Sequence, residues 1–143
     1  MAKIFVEAIH AWEFSVWECN PFYTRKQAIV SADVARPTGT PYLKVVATGA
    51  LEPITVANVD DLVETEVGGD VVPPDAEFYG FLGEPIHEDT GVDVHRAFLS
   101  EGPAIADAAL IVFPQGANAG ATATLRGKII AAAKAKSIKF ENA

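Results

Sequence analysis

Residues 4–17 read IFVEAIHAWEFSVW. Ile4, Val6, Ala8, His10, Trp12, Phe14 and Val16 take the even positions. The odd ones include Glu7, Glu13 and Ser15, interrupted by Phe5, Ile9, Ala11 and Trp17. A period of two marks extended β structure, whereas a helix would scatter Trp12, Phe14 and Val16 around its circumference. Cys19, Asn20 and Pro21 end the run, because Pro21 removes a ladder donor and Asn20 favours a turn. The reading therefore turns on one question: does this strand pair within its own chain, or with the sheet edge of another molecule?

Working outward, the same short-period signal recurs. Extended runs are expected over residues 28–31, over 42–48 after the turn RPTGTP, and over 54–57. Residues 58–77 are acidic and broken by Gly68-Gly69 and Pro73-Pro74, which reads as a long surface loop. Strand character resumes over 78–86, where Gly80 and Gly83 point to bulges or close packing. It returns over 92–100 and 104–113. Only the end of the chain has helical spacing: Leu125, Ile129, Ala132 and Ala133, behind a cap at Asn118 or Thr122. SIKF, residues 137–140, closes the chain as a short strand. Many short strands, one C-terminal helix and no βαβ alternation predict a mainly β (α+β) domain.

At 143 residues the chain fits one domain, able to bury roughly 68–70% of its unfolded surface. Half the residues are hydrophobic, enough for a packed core. A single cysteine, Cys19, excludes an internal disulfide and suits a reducing compartment. The longest apolar run, residues 108–113, is far short of the ~20 needed to span a bilayer, so no membrane partner is expected. Glu7 and Glu13 and the lack of a small-residue cleavage site distinguish the N-terminus from a signal peptide. Charge is unevenly spread. Residues 51–101 hold thirteen acids against Arg96, while the last eighteen residues hold five bases against Glu141. The net charge of −8 argues against nucleic-acid binding, which needs clustered Lys and Arg.

Chemistry-bearing residues are sparse. His87, Glu88, Asp89, Asp93 and His95 form the densest cluster, and imidazoles with carboxylates can ligate a divalent metal. Their spacing matches no zinc pattern, and an acidic turn leading into a strand explains them more simply. His10, on the apolar face of the first strand, reads as a hydrogen-bonded structural residue. Cys19 lacks a neighbouring base and reads as a structural thiol. Gly120 and Gly127 are seven residues apart where a phosphate loop needs five, and Ile129 stands where Ser or Thr would bind magnesium. No catalytic residue, metal site or cofactor is expected.

Three segments together resemble a known family. TRKQAIVSADVARPTGTPYLKVV (24–46) pairs a basic residue before a short strand with a Gly-Thr turn, Gly39-Thr40-Pro41-Tyr42-Leu43, opening the next. FYGFLGEPIHEDTGVDVHRAFLSEGPAIADAALIVFP (78–114) runs from a Gly-centred strand through a D-x-T-G-type turn to a G-P-A corner. ATATLRGKIIAAAKAKSIKF (121–140) is an Ala-rich helix ending in a short strand. Their order resembles tailed-bacteriophage head decoration proteins, the lambda-type cement proteins, over about residues 22–140. Pro41 and Tyr42 replace the smaller residues usual at the turn, and the 58–77 loop is long.

The resemblance implies a compact β-clip-like domain (22–143) behind an extended N-terminal arm (1–21). It implies a homotrimer at local three-fold sites outside the expanded head, located in the virion after synthesis in the host cytoplasm. The arm would add to a sheet of the major capsid protein, with Ile4, Val6, His10, Trp12, Phe14, Val16 and Trp17 as its contacts. The alternatives are a metal- or small-molecule-binding β domain around His87, Asp93 and His95, or a tail or baseplate component. An ordinary strand of the protein's own sheet is the competing reading of residues 4–17.

Overall fold

The computed structural model describes residues 12–143, so Ile4, Val6 and His10 lie outside the described residues. The fold is mostly β with one long C-terminal helix, as the sequence pattern predicts. In chain order the elements are β1 (Ser15–Glu18), a helical turn α1 (Pro21–Thr24), β2 (Arg25–Ser31), β3 (Pro41–Val45) and β4 (Leu51–Pro53). A 3-10 turn (Val59–Leu62) and the hairpin β5 (Thr65–Val67) and β6 (Asp70–Val72) come next. β7 (Ala76–Leu82), β8 (Asp93–Leu99) and β9 (Ala104–Asp107) precede a second 3-10 turn (Ala108–Leu110), helix α2 (Ala119–Ala135) and β10 (Ile138–Glu141).

Five strands form one sheet in the order β2-β8-β7-β3-β4, and three form another, β1-β9-β10. β7 and β8 pair at Phe81–Leu99 and Leu82–Phe98, and the Gly83 N–H continues the contact by donating to the Ala97 carbonyl at 2.9 Å. β10 runs parallel to β9. A parallel neighbour requires a crossover, which α2 supplies. Asn118 caps α2 by accepting from the Ala121 N–H at 2.9 Å, and Leu125, Ile129 and Ala133 turn inward at the spacing the sequence shows.

Packing divides into two clusters. The first joins Leu125, Ile129 and Ala133 of α2 with Phe14, Phe78, Phe81, Ala104, Ala106 and Ile138. The second holds Val30, Tyr42, Leu82, Ile86 and Phe98 on the opposite face, so that the chain neighbours Phe81 and Leu82, and Phe98 and Leu99, divide between the two clusters. Edge-to-face aromatic contacts organise both: Phe78 and Tyr42 each lie 5.1 Å from their partners, Phe81 and Phe98.

Several expectations are corrected. The expected strand over 4–17 does not run unbroken: residues 12–14 form a turn, with the Ser15 N–H donating to the Trp12 carbonyl at 2.9 Å. The strand within 54–57 lies instead at Leu51–Pro53, where it pairs with β3. The 58–77 segment is not structureless, since Gly68 and Gly69 take φ of 62° and 88° and close the two-residue loop of the β5–β6 hairpin. The run expected over 104–113 stops being a strand at Asp107, whose carboxylate accepts from the Ala109 N–H and starts a 3-10 turn.

Candidate interaction surface

The stretch from Trp12 to Glu18 belongs to the body of the subunit. Phe14 is fully buried, 6.1 Å from the Trp12 and Phe81 rings. Its carbonyl accepts from the Asp107 N–H at 2.7 Å. β1 pairs antiparallel with β9, and the Cys19 N–H extends that ladder to the Pro103 carbonyl. A boundary after residue 21 therefore does not separate arm from domain. Phe14, expected to fill a partner's pocket, fills its own core.

Trp12 is only partly buried but also packs against the core cluster. Its backbone has φ 65°, a left-handed conformation that costs a large L side chain about 1–2 kcal/mol. Local contacts offset this cost. The Trp12 N–H donates to the Gly83 carbonyl at 2.8 Å, and the Arg25 guanidinium lies 3.6 Å from the indole centroid. Such a cation–π pair contributes about 0.5–1 kcal/mol at an exposed site and more where water is excluded. The indole rests on Gly83, occupying the space a Cβ there would need, so only glycine permits this seat.

Glu18 ties the same knot from the other side. It accepts from Ser15 Oγ at 2.9 Å, from Thr24 Oγ1, and from Arg25 through Nε at 2.9 Å and Nη2 at 2.6 Å. Burial opposes its ionisation, but the hydrogen bonds from Arg25, Thr24 and Ser15, with the Arg25 charge, outweigh it and lower its pKa below the ordinary 4.5. Glu18, Arg25 and Trp12 thus link β1, the start of β2 and the turn at residue 12. Nothing in the sequence alternation pointed to this network, because Arg25 is seven residues from Glu18 and meets it only once α1 turns the chain.

Val16 and Trp17 behave differently from their neighbours. A register shift between Ser15 and Trp17 in the β1–β9 ladder breaks the alternation, and both side chains end about half exposed. β1 is also an edge strand, paired on one side only among the described residues. Of the expected arm contacts, the structure leaves Val16 and Trp17 facing solvent and withdraws Phe14. Tyr23 and Ile29 add exposed apolar surface on α1 and β2.

The acidic-histidine cluster does not converge. His87, Glu88, Asp89, Asp93 and His95 are all exposed, and among the described residues no group of three or more His, Cys, Asp or Glu is placed to hold a metal ion. Cys19 is exposed at the end of β1. No helix among the described residues is long and apolar enough to cross a membrane. Compared with known proteins, the chain matches no family model, and no curated protein matches it significantly.

Proposed function

We propose that this chain is a phage capsid decoration protein, binding as a homotrimer at local three-fold sites on the outside of the expanded head. Residues before Trp12 serve as the arm and add to a sheet edge of the major capsid protein. The observation that supports this reading most is the pinned root: an alternating segment, Ile4 to His10, leads straight into Trp12 and Phe14, which are fixed to the body. Half-exposed Val16 and Trp17 on an edge strand lie just beyond that root. A grip on the arm is then transmitted to the whole subunit instead of a slack tether.

Burying Ile4 and Val6 against the capsid gains about 1.5–3 kcal/mol each, a weak hold for a single arm. Three arms on one trimer raise the local concentration of the second and third, and avidity then adds on the order of 10²–10⁴. One trimer thereby links several capsid subunits, and separating any of them also breaks arm contacts.

The test is co-sedimentation with expanded heads of the phage that carries the gene, comparing the full chain with a variant lacking residues 1–11. The full chain is expected to sediment with the heads; the truncated chain, still folded, is expected to stay in the supernatant. Equal binding by both refutes the arm, and failure of the full chain to bind refutes the capsid assignment.

A further inference from the structure

Two features of the described residues remain unused: the β5–β6 ribbon and the outer edge of β2. In the ribbon Thr65 pairs with Val72, Glu66 with Val71 and Val67 with Asp70. Val67 and Val72 therefore share one face, while Glu66 and Val71 share the other. All six residues are exposed, Val67 and Val71 by about two thirds. A two-stranded ribbon this short is marginal alone in water, and apolar side chains on both faces leave it without a buried side. At its base Val45, Val46, Val72, Pro73 and Pro74 line an open apolar cavity of 520 Å³.

Charge limits what covers the ribbon. Glu64, Glu66 and Asp70 surround the valines, so ribbons from different copies repel one another. A fitting partner offers an unpaired strand edge with apolar and basic groups. β2 is such an edge. The Thr24 carbonyl and Ala32 N–H both bond to the β8 side. By alternation, Arg25, Gln27, Ile29 and Ser31 direct their backbone groups outward. The Ile29 side chain is 58% exposed, and Lys26 makes only a loose 3.7 Å pair with Glu101. A lysine on a sheet edge resists neutral or basic strands and admits an acidic one.

We propose that the β5–β6 ribbon of one copy adds to the β2 edge of the next with β5 parallel to β2, Val67 opposite Ile29 on one face and Glu66 opposite Ala28 on the other, diagonal to Lys26 and within reach of its long side chain. The faces agree, since Glu66 and Val67, like Lys26 and Ile29, lie on opposite sides of their strands. The ribbon follows the first 3-10 turn and leads into the start of β7, next to the end of β3 where the Val46 N–H bonds to the Asp75 carbonyl, and β8 and β7 separate β3 from β2 in the sheet. The contact is therefore head-to-tail between copies, and such contacts close into a ring when the rotation allows. This inference rests on the homotrimer reading above and names the surfaces that build it.

Native mass measurement of the full chain at micromolar concentration tests it. The wild type is expected at three times 15.2 kDa, about 46 kDa. Lys26→Glu and Glu66→Lys, both at exposed positions, are each expected to weaken assembly on the order of tenfold or more, with unchanged circular dichroism. Combining the two reversals is expected to restore the trimer. A trimer unaffected by either single reversal, or not rescued by the pair, overturns the ribbon contact and leaves the trimer reading standing. A wild-type monomer overturns both.

Discussion

Replacing Phe14 with Ala separates an arm from a body. Phe14 is wholly buried, stacks near Trp12 and Phe81 and belongs to the main core cluster. Removing a buried phenylalanine ring costs about 3–5 kcal/mol, the range depending on how far the site collapses. Total stability for a domain of this size is on the order of 5–15 kcal/mol, so about a fifth or more would be lost. With a urea m-value of roughly 2 kcal/mol/M, the midpoint should fall by about 1.5–2.5 M at unchanged m. Equilibrium urea unfolding followed by far-UV circular dichroism measures this directly. If residues 12–18 were a detachable leader, the truncated ring would leave no cavity. An unchanged midpoint would refute the placement of Phe14 and return the stretch to the arm.

Two further changes probe the root. Glu18→Gln removes the charge that Arg25, Thr24 and Ser15 stabilise, at an expected cost of about 1–2 kcal/mol at pH 7, since Arg25 is partly solvated. Because folding lowers the Glu18 pKa, its contribution is fully present above about pH 4.5 and fades as pH falls through the folded value. The gap in Tm between wild type and variant should therefore narrow below pH 4.5; a gap constant down to pH 2.5 contradicts the network. Gly83→Ala places a methyl group where the Trp12 indole lies. Overpacking of this kind costs about 1–3 kcal/mol, and in a Trp17→Phe background the Trp12 emission should shift to the red. Unaltered emission and stability would show that the indole sits elsewhere.

Much of the fold was legible because it depends on periodicity. Leu125, Ile129 and Ala133 follow helical spacing behind Asn118, and they form the buried stripe of α2. Short alternating runs marked most strands, with ends displaced by a few residues. What failed was local and had local causes. Alternation cannot show a turn at Trp12 or a register shift at Val16, because neither requires glycine or proline, and each reverses which side chains face inward. The ribbon at 65–72 was legible in principle, since Gly68-Gly69 between Thr65-Glu66-Val67 and Asp70-Val71-Val72 is a two-residue hairpin signal. Its acidic, Gly- and Pro-broken composition is also that of a surface loop.

The uneven charge has a physical reading once the elements are placed. Lys128 pairs with Asp60 and Lys136 lies 4.0 Å from Glu77, so part of the basic C-terminal excess is spent within the chain against the acidic middle. Exposed pairs of this kind add little stability, commonly under about 1 kcal/mol. Their effect is on what remains unneutralised. Glu64, Glu66 and Asp70 make no ion pair among those identified in the described residues, and they cluster on and beside the most exposed apolar ribbon. Valines alone at that position would invite indiscriminate association. Surrounded by carboxylates, they favour a surface that brings both a basic side chain and an open strand edge, and Lys26 beside the outward backbone of β2 meets both conditions.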